Sequence, residues 1–176
     1  MGKRKAFTLV ELSIVLIIIG LLVGGVLKGK AMIDNAKQKR VKTDIDGIVA
    51  ATYSYQDKYG YLPAENPSST VAGCTSTTGD GLIDSTEATC AWQDLIAAGY
   101  ISGDVTSATP QKASPYGGIY DFDANTTTNV ITVVNLPLDV ANNLDVKYDD
   151  GDLTTGEILY ATGGGGTDPQ LIWAAF

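Results

Sequence analysis

The sequence predicts an α+β fold: one long N-terminal helix followed by a small antiparallel β-sheet. Two observations predict it. Val41, Ile45, Ile48, Thr52, Tyr55 and Tyr59 follow a 4-3-4-3-4 spacing, which is one face of a helix. Later, β-prone runs at 118–123, 130–135, 157–161 and 170–174 are separated by Asn, Asp and Gly. Helix first and a strand meander after is an α+β pattern, with the helix face from Val41 to Tyr59 covering one side of the sheet.

The long helix is predicted from about residue 8 to residue 59, which would make it ~78 Å long. Its first half is apolar all round and its second half, 28–60, is amphipathic. Such a helix must change surroundings along its length, from bilayer or fibre core to the face of a globular head. Gly60 is placed to cap it, and Pro63 prevents continuation. Residues 61–84 are rich in Pro, Ser, Thr and Gly and read as a loop opening the head, 61–176. A short helix follows, with Asp84 as N-cap and Glu87 as third helical residue in a capping-box arrangement. Ala88, Ala91, Trp92, Leu95 and Ile96 form its apolar face, and Gly99 ends it. The four glycines at 163–166 lack the lysine of a phosphate loop.

Composition narrows the function. The chain has 176 residues and a net charge of −8. Nine of its twelve Lys and Arg lie at or before Lys42; from residue 43 onward eighteen acids stand against three bases, a balance of −15. A head this acidic has no basic face for nucleic acid. The acid excess fits solubility outside the cell or cation binding. With no histidine there is no imidazole base and no His-ligated zinc. No cleft is evident for a glycosidase-type carboxylate pair, and the chain reads as a non-enzyme. The two cysteines, Cys74 and Cys90, are read as a disulfide, worth roughly 3 kcal/mol in the chain-entropy model and requiring an oxidising compartment; two buried free thiols are the alternative.

The N-terminal segment carries the most specific signal. A basic head, Lys3, Arg4 and Lys5, precedes residues 7–27, where Glu11 is the one charge. These helical residues would span about 31 Å, a bilayer core. A carboxylate inside such a segment costs about 2.5–3.5 kcal/mol, so it needs a partner. A cleaved secretory signal is one reading, although Gly29-Lys30-Ala31 is a poor cleavage site. A plain single-pass anchor with Glu11 near the interface is another.

A third reading comes from Lys5-Ala6-Phe7-Thr8-Leu9-Val10-Glu11 and the apolar run after it. This segment strongly resembles the leader of type IV prepilins and type II secretion pseudopilins. The resemblance implies that 1–6 is a leader, cut between Ala6 and Phe7 by a prepilin peptidase, with N-methylation of Phe7. It implies that Glu11, the fifth mature residue, pairs with the amine of a neighbouring subunit. It also implies the pilin fold, a homo-oligomeric helical filament and an inner-membrane assembly machinery. The subunit would cross the inner membrane once, N-terminus cytoplasmic, and end in an extracellular or periplasmic filament. Ala6 stands where the family usually has Gly, and Lys28 where many pilins have Pro; Gly20 matches the frequent mid-helix Gly. Three bases precede the segment and six follow it by Lys42, so charge alone would favour a cytoplasmic C-terminus, whereas the cysteine pair and the resemblance place the head outside. The basic run from Lys37 to Lys42 would meet lipid head groups, or the acidic head of a neighbour.

Two segments are candidates for calcium. Asp80, Asp84 and Glu87, with Gly81 and Ile83, fall at offsets like the second half of an EF-hand loop, with Ser76 and Thr78 at the first ligand positions. Asp145, Asp149, Asp150 and Asp152 cluster around Gly151. The resemblance adds that major pseudopilins bind calcium in a loop near the C-terminal sheet; a plain Asp-Gly turn is the alternative. The expected function is the structural subunit of a type IV pilus-like filament. A type II secretion pseudopilin is the alternative, and a non-polymerising membrane-anchored binding protein or adhesin is the second alternative.

Overall fold

The computed structural model describes residues 8–74, 79–124, 127–162 and 169–174. Helix α1 runs Leu9–Tyr59 without a break, past Gly20, Gly24, Gly25 and the Lys28 position. The chain divides into two compact units, Met1–Lys39 and Arg40–Phe176.

In the first unit, every Leu, Ile and Val from Leu9 to Leu27 is at least 50% exposed. The segment is long and apolar enough to cross a membrane. A helix apolar on all sides needs lipid or other helices around it.

The second unit is the head. Its part of α1 buries Val41, Ile45, Ile48, Ala51 and Tyr55. Thr52, also buried, donates its hydroxyl to the Ile48 carbonyl at 3.0 Å, so a polar residue on the stripe is satisfied within the helix. Tyr59, predicted on the same stripe, is instead 39% exposed, stacked on Tyr55 with centroids 4.5 Å apart. The helix is ending there: Gly60, at φ +79°, returns its N–H to the Gln56 carbonyl at 2.8 Å.

Helix α2 spans Ala88–Ala97 and buries Ala88, Ala91, Trp92, Leu95 and Ile96, the face that spacing predicted. Strands β1 (Tyr120–Ala124), β2 (Asn129–Val134), β3 (Ile158–Thr162) and β4 (Pro169–Ala174) form one antiparallel sheet in the order β1-β2-β4-β3. This is not the expected simple meander. β4 returns between β2 and β3, and a further helix, α3 (Leu138–Tyr148), occupies the connection from β2 to β3. Asn129 to Val133 are all buried, so β2 is covered on both faces. Val140, Ala141 and Leu144 of α3 join the same core.

Three tethers hold these layers. Asp44 on α1, almost fully buried, accepts Lys112 Nζ at 2.8 Å and the Tyr120 hydroxyl at 3.1 Å, with Arg40 Nε at 3.6 Å. It joins helix to sheet, and its charge together with burial pushes the Tyr120 hydroxyl pKa well up. Asp94 on α2 accepts the Ala64 N–H at 2.9 Å and the Ser69 hydroxyl at 2.5 Å, pinning the loop after α1. Burial raises the Asp94 pKa against these donors. Cys74 and Cys90 are bridged, with Cα atoms 5.3 Å apart, which ties the same loop to α2.

Reducing the bridge is expected to cost about 3 kcal/mol. The check is the denaturation midpoint of the detergent-solubilised full chain with and without reductant. An unchanged midpoint would remove the bridge from the stability account.

Candidate functional site

Two constellations carry chemistry. The first is the start of α1. Thr8 immediately precedes the helix, and its N–H and hydroxyl both donate to Glu11 Oε2, each at 2.9 Å. The Glu11 N–H returns a longer bond, 3.3 Å, to Thr8 Oγ1. This is a reciprocal capping box, which satisfies helix N–H groups that have no partner within the helix. The acid is therefore held by its own helix, and its negative charge lies at the positive end of the macrodipole. Two positions on, Ser13 donates its hydroxyl to the Val10 carbonyl at 2.9 Å. The polar side chains at the start of the apolar segment, Thr8, Glu11 and Ser13, are thus satisfied locally. Ala6 and Phe7, the predicted processing positions, lie outside the described residues.

The second constellation closes α3. Asp145, in its last turn, is 0% exposed, and among the described residues its carboxylate oxygens meet no donor in good geometry; the backbone N–H of Gly151 is the one donor that lowers its pKa. Asp149 caps the helix: its N–H reaches the Asp145 carbonyl at 2.8 Å. Its Oδ2 accepts the N–H groups of Glu157 and Ile158 at 2.6 and 2.7 Å, fastening α3 to the start of β3. A side chain at Gly156 would collide with this carboxylate. Asp150, which is exposed, accepts the Asp152 N–H on Oδ1 at 2.9 Å and the Thr155 hydroxyl on Oδ2 at 2.7 Å. Carboxylate oxygens of Asp145, Asp149 and Asp150 then lie within 4.8 Å of one another.

Burial pushes the Asp145 pKa up, and the charges of Asp150, Asp149 and Asp152 add to the shift. The negative end of the α3 dipole points the same way. A carboxylate closed off from solvent with so little donor support is costly unless a proton or a cation joins it. Hard oxygen donors, two of them already oriented by backbone and hydroxyl bonds, fit a divalent cation of the calcium class. Asp145, Asp149 and Asp150 would hold it. Asp152, predicted with them, stands outside the group: its Oδ1 accepts the N–H and hydroxyl of Thr154, which lower its pKa.

The EF-hand-like segment is organised differently. Asp84 Oδ1 accepts the Thr86 N–H and hydroxyl and the Glu87 N–H, at 2.7, 2.6 and 3.1 Å, so it serves as the cap of the turn into α2. Asp80 Oδ1 accepts the Leu82 N–H. Asn129 holds the loop from β2, accepting the Ile83 N–H at 2.7 Å and donating to the Gly81 carbonyl at 3.0 Å, while Glu65 accepts the Gly81 N–H. Among the described residues, Asp80, Asp84 and Glu87 do not converge as the α3 group does. Ser76 and Thr78 lie outside the described residues. The sequence signal missed Asn129 and Glu65, because their partners are backbone groups 48 and 16 residues away. It also missed the Thr8 capping box, although Thr-x-x-Glu before an apolar run is its ordinary signature.

Comparison with known families places the first of these constellations. Residues 1–27 match the family model of the prokaryotic N-terminal methylation motif, the prepilin-type signal of type IV pilins and pseudopilins. The motif belongs to a structural class rather than to an enzyme family. No curated protein and no solved structure matches the chain.

The aspartate cluster makes a prediction of opposite signs. Without metal, Asp145→Asn is expected to stabilise the head near neutral pH, since it removes a buried unpaired charge at almost constant shape. Calcium at about a hundred times its dissociation constant is expected to stabilise the unsubstituted chain by ~2.7 kcal/mol, or roughly 5–10 °C in Tm, and the variant by much less. Melting curves in chelator and in calcium decide it; equal calcium shifts in both proteins would remove Asp145 from the site.

Proposed function

We propose that this chain is the structural subunit of a type IV pilus-like filament. In this reading a prepilin peptidase cuts between Ala6 and Phe7, the new Phe7 amine is methylated, and the subunit waits in the inner membrane before polymerising through α1. The observation that carries the reading is the methylation motif on a membrane-length helix whose apolar segment holds a single acid, Glu11.

The chemistry follows from charge and spacing. Cutting before Phe7 creates an α-amino cation, and methylation leaves the charge in place. Positions four apart on a helix differ by about 6 Å along its axis, so subunits staggered by a rise of that order would bring an amine to a neighbour's carboxylate. Before assembly the Thr8 N–H and hydroxyl hold Glu11 with neutral donors. An ammonium would add the attraction of a full opposite charge to its hydrogen bond, so it would outcompete or supplement that cap. In low dielectric the pair offsets the cost of burying both ions. The acidic heads would lie outside the fibre core.

A secretion-system pseudopilin is the second reading, and the convergence of solvent-shielded Asp145 with Asp149 and Asp150 favours it. It uses the same leader and the same helix, and would show itself as a calcium requirement for secretion.

Intact mass of the chain from its host tests the processing. The expected species lacks residues 1–6 and carries one added methyl; a chain beginning at Met1, or cut after Ala31, would overturn the proposal. Glu11→Ala is expected to abolish assembly while the stored subunit persists, and unaltered assembly would favour a non-polymerising anchored binding protein instead. Thr8→Val should destabilise the helix start by about 0.5–2 kcal/mol and lower the amount of stored subunit. Thr8→Ser should restore it, with immunoblots of membrane fractions as the readout.

A further inference from the structure

We propose that Lys28 and Lys30 form a collar that binds the phosphate head groups of anionic phospholipid and so fixes the depth at which the stored subunit rides in the bilayer. This rests on the membrane storage proposed above and is independent of polymerisation.

Depth sorts the charges of this part of α1. The apolar segment that ends at Leu27 matches a hydrocarbon core of about 30 Å, and the head-group layer beyond it is about 5–7 Å thick. Counted along the helix from Leu27, Lys28 and Lys30 stand about 1.5 and about 4.5 Å into that layer. Asp34 stands about 10 Å out, on the water side, and Lys37 and Lys39 about 15 and about 18 Å out. No acid lies between Glu11 and Asp34. The layer therefore receives two positive charges from this helix and no negative one.

Pairing sorts them the same way. Lys28 and Lys30 are exposed, and neither is in an ion pair among the described residues. Asp34 follows Lys30 by one turn and makes no ion pair with it. The bases further along are taken. Arg40 and Lys112 answer Asp44, Lys42 is paired with Asp46, and Lys37 and Lys39 have interactions of their own. The run from Lys37 to Lys42, expected to reach lipid, is thus too far out and already engaged.

Two free ammonium groups at phosphate depth fit anionic lipid. The long aliphatic stem of a lysine lies along the apolar helix while its charge reaches the phosphates. Each lysine near an anionic surface favours it by about fivefold. Either leaflet supplies such lipid, whichever way the segment points. The acidic head of another copy is the competing occupant. Lys28 directly follows Leu27, so that head would have to enter the lipid layer to reach it.

The test uses the full chain, disulfide intact, in vesicles of about one part phosphatidylglycerol to four of phosphatidylcholine. The photoreactive residue benzoylphenylalanine replaces Ala31, which is exposed and about one turn from Lys28. Illumination joins it to its neighbours, and mass spectrometry identifies them. Lys3, Arg4 and Lys5 precede the apolar segment, at its other end and beyond the reach of this residue. Phosphatidylglycerol should be captured about fivefold or more above its share of the bilayer. Lys28→Gln combined with Lys30→Gln should bring capture down to that share, whereas Lys28→Arg combined with Lys30→Arg should keep the excess. Both lysines lie outside the core, so neither pair of changes should alter the yield of disulfide-bonded chain that floats with the vesicles. Capture of phosphatidylglycerol at its bulk share by the unsubstituted lysines, or an excess that survives the glutamine pair, overturns the collar. Capture of a second copy's head in place of lipid does the same, and all three leave the storage reading standing. A chain that fails to float with the vesicles overturns the storage reading and the collar with it.

Discussion

A carboxylate taken out of water must find a donor, a proton or a cation, and this chain is arranged around that requirement. It meets it differently at four places. Glu11 is held by the N–H and hydroxyl of Thr8, one turn back on its own helix. Asp44 is held by Lys112 and Tyr120, with Arg40 beside it, and in being satisfied it joins α1 to the sheet. Asp94 is held by a backbone N–H and a hydroxyl of the loop that it pins. Asp145 is closed off from solvent and, among the described residues, has no donor in good geometry beyond the pull of the Gly151 N–H. The first three are satisfied by donors of the chain, and the fourth is not, among the described residues. That difference separates structural acids from a ligand site more sharply than a count of aspartates.

The parts legible in the sequence were those with a local period. The stripe from Val41 to Tyr55 and the face of α2 repeat every three to four residues, and the central strand is β-branched nearly throughout, so each announces itself over a few residues. Helix α3 does not. Its buried positions are Val140, Ala141, Leu144 and Asp145, a short face that includes an acid, and Asn142 and Asn143 weaken its propensity. Missing α3 also hid the topology, because the connection it fills carries the chain across to the far edge before β4 returns between β2 and β3. Sheet order depends on contacts between residues far apart in sequence, and no local pattern encodes it.

The candidate sites divide along the same line. Four acids near Gly151 are plain in the sequence, but which of them is buried is decided by the packing of α3. Asp149 looks like a ligand and is also the clasp between α3 and β3; Asp152 looks like a ligand and is taken up by Thr154. Asp84 is a similar case, resembling part of a calcium loop while capping a turn. Short polar side chains compete for both tasks, since the oxygen that caps a helix is the oxygen that binds an ion. The count of occupied lone pairs separates the two only together with position, since the oxygens of Asp145, Asp149 and Asp150 converge within 4.8 Å.

The same count bears on how Glu11 would work in the proposed filament. An acid left bare in the bilayer would pull the segment towards the interface, and an acid locked in an internal ion pair would have nothing left to offer a neighbour. The Thr8 box lies between these extremes. Its donors are neutral, both bonds fall on one oxygen, and the N-terminal end of the helix favours the negative charge in any event. Such a cap lowers the cost of storage without matching the strength of a pair with an ammonium. The carboxylate is then stable enough to wait and still better satisfied by a neighbour, and that inequality gives assembly its direction at this site. The uninterrupted course of α1 past Gly20, Gly24 and Gly25 keeps the box in fixed register with the residues that follow it. A neighbour's amine meeting Glu11 would therefore set the axial position of the apolar segment that carries it.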